Sequence, residues 1–254
     1  MQRLWEPPSP AASKGTLVHR ALELLHNRPA QERTRDAALS DLQTAAAELA
    51  ADPEFAELHL TAEQWQSFVS ESEVFVERYL QLEDPTTINA VGLELKLEAK
   101  LGKVTLRGII DRLDLTPEGD LVVTDYKTGK APSERFLHKS LEGVHLYALL
   151  CEQNFGKRPV RVQLLYLSKP EAIVATPTES TVRGVEVKSG ALMTAIKTAC
   201  VKDDFRPRTS PLCNYCSFKD FCPSFGGDPE TAATVTKERA RAAQHLATAR
   251  LSIA

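Results

Sequence analysis

Two acids and a lysine stand in strand-forming segments: Asp111 in Gly108-Ile-Ile-Asp-Arg-Leu-Asp114, and Asp125 and Lys127 in Val122-Val-Thr-Asp-Tyr-Lys-Thr-Gly129. Carboxylates gathered beside an ammonium group suit hydrolysis of a phosphodiester. They give oxygen ligands to a hard cation such as Mg2+ or Mn2+, which acidifies bound water, and the ammonium adds positive charge beside the phosphate. Both segments are aliphatic and β-branched, and Pro117-Glu118-Gly119-Asp120 between them favours a tight turn, so an antiparallel hairpin is predicted. Residues two apart on a strand share a face. Asp125 and Lys127 therefore lie side by side, Tyr126 points the other way with its carbonyl near the same edge, and Asp111 aims from the facing strand at the same point. A D-x-K pattern alone also describes strand-end acids and a solvated lysine, so its meaning depends on its company.

That company begins upstream. Gly15-Thr-Leu-Val-His19-Arg-Ala-Leu-Glu23 opens a helix whose Val18, Leu22 and Leu25 form one apolar stripe, with His19, Glu23 and His26 in an adjacent polar stripe. Gly15-x3-His19-x2-Leu22-Glu23, Gly108-x2-Asp111 and Asp125-x-Lys127-Thr-Gly129, in that order, resemble the motifs of RecB-like nucleases of the PD-(D/E)xK superfamily, relatives of the RecB and AddB nuclease domains. The resemblance covers roughly residues 5 to 225. It implies an α/β restriction-endonuclease-like core: a central mixed β-sheet flanked by helices, with a helical N-terminal insertion. By motif, His19, Asp111, Asp125 and the backbone carbonyl of Tyr126 would hold Mg2+ or Mn2+, and Asp111, Asp125 and Lys127 would be catalytic. A further family motif places Gln four residues before Tyr. Tyr147 matches as a substrate-binding residue, but Gly143 stands where Gln is expected, and whether His145 substitutes is open.

Cys213, Cys216 and Cys222 follow a C-x2-C-x5-C spacing that can wrap one metal centre, and a disulfide suits a chain with no export signal poorly. The resemblance implies three of four ligands of a [4Fe-4S] cluster, the fourth lying upstream of the histidine motif, where this chain has no cysteine. Zinc with a non-cysteine ligand is the alternative. Cys151 and Cys200 each follow an apolar helical run and read as buried structural cysteines, with substitute ligation as the other reading. The opening Met1-Gln-Arg-Leu-Trp-Glu-Pro-Pro falls where the family pattern is already under way, which suggests a missing N-terminal segment.

These groups must be positioned by the remaining elements. Helices are expected over 14–27, 33–51, from Thr61 (capping box with Gln64; stripe Trp65, Phe68, Val69, Val76, Tyr79, Leu80), 133–155 and near 187–202. Strands are expected over 90–99, 103–115, 120–127 and 160–168, with an edge at 171–176. Glu94, on the first strand, reads as surface or as an auxiliary metal contact. Residues 1–225 read as one nuclease domain, with 31–83 the helical insertion and 205–223 the cysteine loop; 226–254 is an Ala-rich helical tail. At 254 residues and 43% hydrophobic the chain can bury one α/β core. It has no apolar run of the ~20 residues that spanning a bilayer needs, which suggests a cytoplasmic enzyme and no membrane partner. A net charge of −3 argues against indiscriminate phosphate binding. Lys127, Lys130, Arg135 and Lys139, and Lys202, Arg206, Arg208 and Lys219, line a groove or are ordinary solvated charges. The expected function is a metal-dependent DNA nuclease, exonuclease-like, working in repair or recombination with a helicase or other repair partner. A weakly active DNA-binding accessory subunit is the alternative.

Overall fold

The computed structural model describes residues 6, 8–102 and 104–238. Helix α1 (Pro10–Asn27) starts where Ser9 accepts from the Ala12 amide and Pro10 takes the first turn, where a missing N–H costs nothing. It buries Leu17, Val18, Ala21, Leu22 and Leu25. Helix α2 (Arg35–Ala50), the short α3 (Pro53–Ala56) and α4 (Ala62–Leu82) follow. The expected capping box starts α4: Thr61 Oγ1 accepts from the Gln64 amide at 3.2 Å, and Gln64 Oε1 accepts from the Thr61 amide at 2.8 Å.

The sheet holds β1 (Ala90–Leu101), β2 (Val104–Leu115), β3 (Leu121–Lys127), β4 (Arg161–Tyr166) and β5 (Glu171–Ala175), in spatial order 1-2-3-4-5. β1–β2, β2–β3 and β4–β5 are antiparallel, and β3–β4 is parallel. The parallel pair requires a crossover, supplied by α5 (Glu134–Phe155), whose end is marked by Gly156 at φ 67°. One core joins α1, α2 and α4 to Tyr126, Leu165 and Leu167; the other joins α5 to Leu97, Val123, Val162 and Leu164. The fold is thus the expected α/β arrangement, a mixed sheet between two helical layers.

Several expectations are corrected. Helix α6 runs Glu179–Lys202, not from near 187, because Thr178 and Thr181 form a reciprocal cap. It lies largely outside the core, so Cys200 is exposed while Cys151 is buried. The alternation of Val91, Leu93, Leu95 and Leu97 does not mark one buried face. Val91 is exposed, and Leu93 lines a cavity with Glu23 and His26, whereas Leu95 and Leu97 meet the α5 core. Between them Glu94 has φ 43°, a left-handed conformation that turns the strand over. His26, in the polar stripe of α1, is 3% exposed. Residues 229–238 are helical, and the rest of the Ala-rich tail, like residues 1–5 and 7, lies outside the described residues. Among the described residues no helix is long and apolar enough to cross a membrane.

Candidate active site

The β2–β3 ladder stops at the Arg112–Thr124 pair, while β3 continues beside β4 as far as Lys127. Past that point the Tyr126 amide loses a backbone partner on the β2 side, and the Asp111 carboxylate replaces it: Oδ2 accepts from Tyr126 N at 2.7 Å. His19 comes from α1 to the same edge. Its Nε2–H donates to the Tyr126 carbonyl at 3.0 Å, which turns Nδ1 toward Asp111 Oδ2 at 3.5 Å and Glu94 Oε1 at 4.0 Å. Two glycines allow these approaches. A Cβ on Gly15 would stand 3.3 Å from Thr128 Oγ1, and one on Gly108 would meet Leu150 Cδ1 at 2.6 Å and Tyr147 Cε1 at 3.5 Å.

Asp125 projects toward α5, where its Oδ1 accepts from the Tyr147 hydroxyl at 3.0 Å. Its other oxygen is enclosed, in ionic contact with the half-exposed Lys127 ammonium but without a directed hydrogen bond. Burial, then the Asp125 charge, pushes the Asp111 carboxyl up to about 7, against the pull of the Tyr126 amide and Lys127. Burial, then Asp111, likewise raises Glu94. Burial lowers His19, against the pull of Glu94 and Asp125.

His19, Glu94 and Asp111 bring one ligand atom each within 4.8 Å of one another, and they form the one such group of metal-capable side chains among the described residues. With Nε2–H committed to Tyr126, neutral His19 points the Nδ1 lone pair at two carboxylates. Three electron-pair donors then face one another, a donor set that suits a divalent ion. The donors fit the expected metal, with two differences from the sequence reading. Glu94 joins the cluster, whereas Asp125 faces Tyr147 and Lys127; and the Tyr126 carbonyl meets Nε2, on the side of the imidazole away from the acids. The register favours the auxiliary-contact reading of Glu94 over the surface one: with Leu93 opposite Arg112 and Leu95 opposite Ile110, Glu94 lies across from Asp111.

Cys213, Cys216 and Cys222 are free and partly or fully exposed, and their sulfurs are not gathered within 4.8 Å. A tetrahedral zinc site would hold thiolates roughly 3.8 Å apart, from Zn–S bonds near 2.3 Å. The zinc alternative is therefore not preformed.

A mixed sheet carrying acids, a lysine and a helical histidine at one strand edge is the architecture of a metal-dependent phosphodiester hydrolase. The chain belongs to the PD-(D/E)XK nuclease superfamily, whose profile matches residues 2–223. By structure it is similar to a candidate exonuclease from Eubacterium rectale, with a TM-score of 0.50 and 14% identity over 84% of this chain and 75% of that one. A protein designated SSO0001 aligns with a TM-score of 0.40 and 16% identity over 80% of this chain and 84% of its own. No curated protein matches by sequence.

Proposed function

We infer that the protein is a DNA nuclease of the RecB/AddB-like branch, exonuclease-like on ends or single strands, which uses Mg2+ or Mn2+ in repair or recombination beside a helicase or other repair partner. The observation that carries this reading is the His19–Glu94–Asp111 cluster next to the Asp125–Lys127 pair. His19, Asp111 and Asp125 hold the ion, with Glu94 added to the set, while the Tyr126 carbonyl accepts from His19 Nε2–H and orients the imidazole. The ion supplies charge for the anionic phosphate and acidifies water. Lys127, half exposed and anchored on Asp125, would supply positive charge to the scissile phosphate and orient the attacking water. Tyr147 fixes the Asp125 carboxylate and borders the substrate path. In the cysteine loop, the C-x2-C-x5-C spacing supports reading Cys213, Cys216 and Cys222 as iron–sulfur ligands.

Cleavage of 5′- and 3′-labelled single- and double-stranded DNA with Mg2+, Mn2+ or EDTA tests the function, with Asp125→Ala and Lys127→Ala as controls. Metal-dependent products from wild type, lost in both variants, are expected. Clean wild type that cuts no DNA form supports the accessory-subunit alternative. Length ladders against internal cuts decide whether the action is exonucleolytic.

A further inference from the structure

On the α1/α4 side of the sheet, Arg112 is fully buried. Desolvating a guanidinium is costly, and an apolar layer of equal volume often serves stability as well or better. Here every edge of the guanidinium is engaged. Nε donates to Asp114 Oδ1 and Oδ2 at 2.8 and 3.1 Å, and Nη2 to Glu83 at 2.8 Å and Thr124 Oγ1 at 3.2 Å. Nη1 donates to the Tyr126 hydroxyl at 2.7 Å and reaches Tyr79 Oη at 3.2 Å and His26 Nε2 at 3.1 Å. A rigid planar fork with this many partners imposes one orientation on the elements that supply them.

Tyr126 links that fan to the acid cluster. Its hydroxyl accepts from Arg112, its amide donates to Asp111, and its carbonyl accepts from His19. Since the β2 ladder ends at Thr124, the hydroxyl anchor stands in for missing ladder bonds on that side. His26, seven residues after His19 on α1, ties the helix that carries the imidazole to the same guanidinium.

We propose that Arg112 is a positioning residue for the metal centre, acting across the sheet through the Tyr126 hydroxyl to set the amide and carbonyl that orient Asp111 and His19. The proposal rests on the metal-site reading above. Tyr126→Phe and Tyr79→Phe test it. Each removes one hydroxyl in contact with Arg112 from a buried tyrosine, and only Tyr126 touches the metal-holding side chains. Calorimetric titration of the full chain with Mn2+, beside thermal melts, is expected to show binding weakened about tenfold in Tyr126→Phe and under about twofold in Tyr79→Phe, for similar losses of Tm. In the Arg112→Lys/Tyr126→Phe double variant, Mn2+ affinity falls no further than in Arg112→Lys alone. Wild-type affinity in Tyr126→Phe, or equal weakening in both tyrosine variants, overturns the positioning role while leaving the metal site standing. A wild type that binds no Mn2+ removes the metal site itself, and the proposal with it.

Discussion

Asp111→Asn should stabilise the metal-free protein while abolishing its response to metal. The carboxyl moves from ~3.9 in the unfolded chain to about 7 in the fold, because it is buried and faces Asp125. The folded pKa is raised, so between those values the native state binds more protons than the unfolded state, and stability falls as pH rises. The penalty is absent below pH ~4 and complete above about 7. Three pH units correspond to at most ~4 kcal/mol; with relaxation of the site and water penetration, about half of that is expected as stability, or ~4–8 °C in Tm. Asparagine keeps an oxygen to accept the Tyr126 amide and loses only the charge. Thermal melts of wild type and variant at pH 5 and pH 8, in EDTA and in Mn2+, measure this. The variant should melt higher at pH 8 in EDTA, gain little at pH 5, and fail to gain from Mn2+. A variant less stable than wild type at pH 8 in EDTA refutes the view that this acid is held against electrostatic cost.

Burial, then the Arg112 and Arg33 charges, holds the His26 imidazole down to about 2. The unfolded chain takes up a proton near pH ~6.5 that the fold refuses, so stability is complete above that pH and falls by ~1.4 kcal/mol per unit below it. Urea titrations at pH 7 and 5 should show this slope as the difference between wild type and His26→Gln, because the opposing Asp111 contribution is common to both; equal pH dependence in the two proteins contradicts the assignment. Glu94→Gly removes a side chain from a left-handed position and one like charge, so it should add about 1 kcal/mol to metal-free stability and weaken Mn2+ binding in titration. If binding is unchanged, Glu94 is no ligand. Protein purified without oxygen should carry about four irons per chain, with the absorbance lost in Cys216→Ser; zinc or no metal overturns the cluster.

Much of this site was legible in the sequence because strand parity is a strict rule. It set Asp125 and Lys127 together and Tyr126 opposite, and the Pro117–Asp120 turn set the hairpin that brings Asp111 near. The Thr61/Gln64 cap and the crossover after β3 were equally local signals. Glu94 was legible only as one of two readings, surface or auxiliary metal contact, because a left-handed residue inside a strand breaks the parity that the alternating leucines advertised. The Arg112 layer was hidden for a different reason. Its partners sit at positions 26, 79, 83, 114, 124 and 126, and only the packing of α1 and α4 on the sheet brings them together. Cys200 followed an apolar helical run yet is exposed, since α6 buries Val182 near its start and leaves its C-terminal turns open.

The central claim is that one divalent ion sits among His19, Asp111, Asp125 and Glu94. Anomalous diffraction at the manganese edge, from crystals soaked in Mn2+, tests it most directly. A peak is expected at roughly 2.0–2.3 Å from the Asp111 carboxylate, with the imidazole and at least one of the other acids in its coordination sphere. A fully soaked crystal with no peak there, or one whose only peak lies away from Asp111, contradicts it.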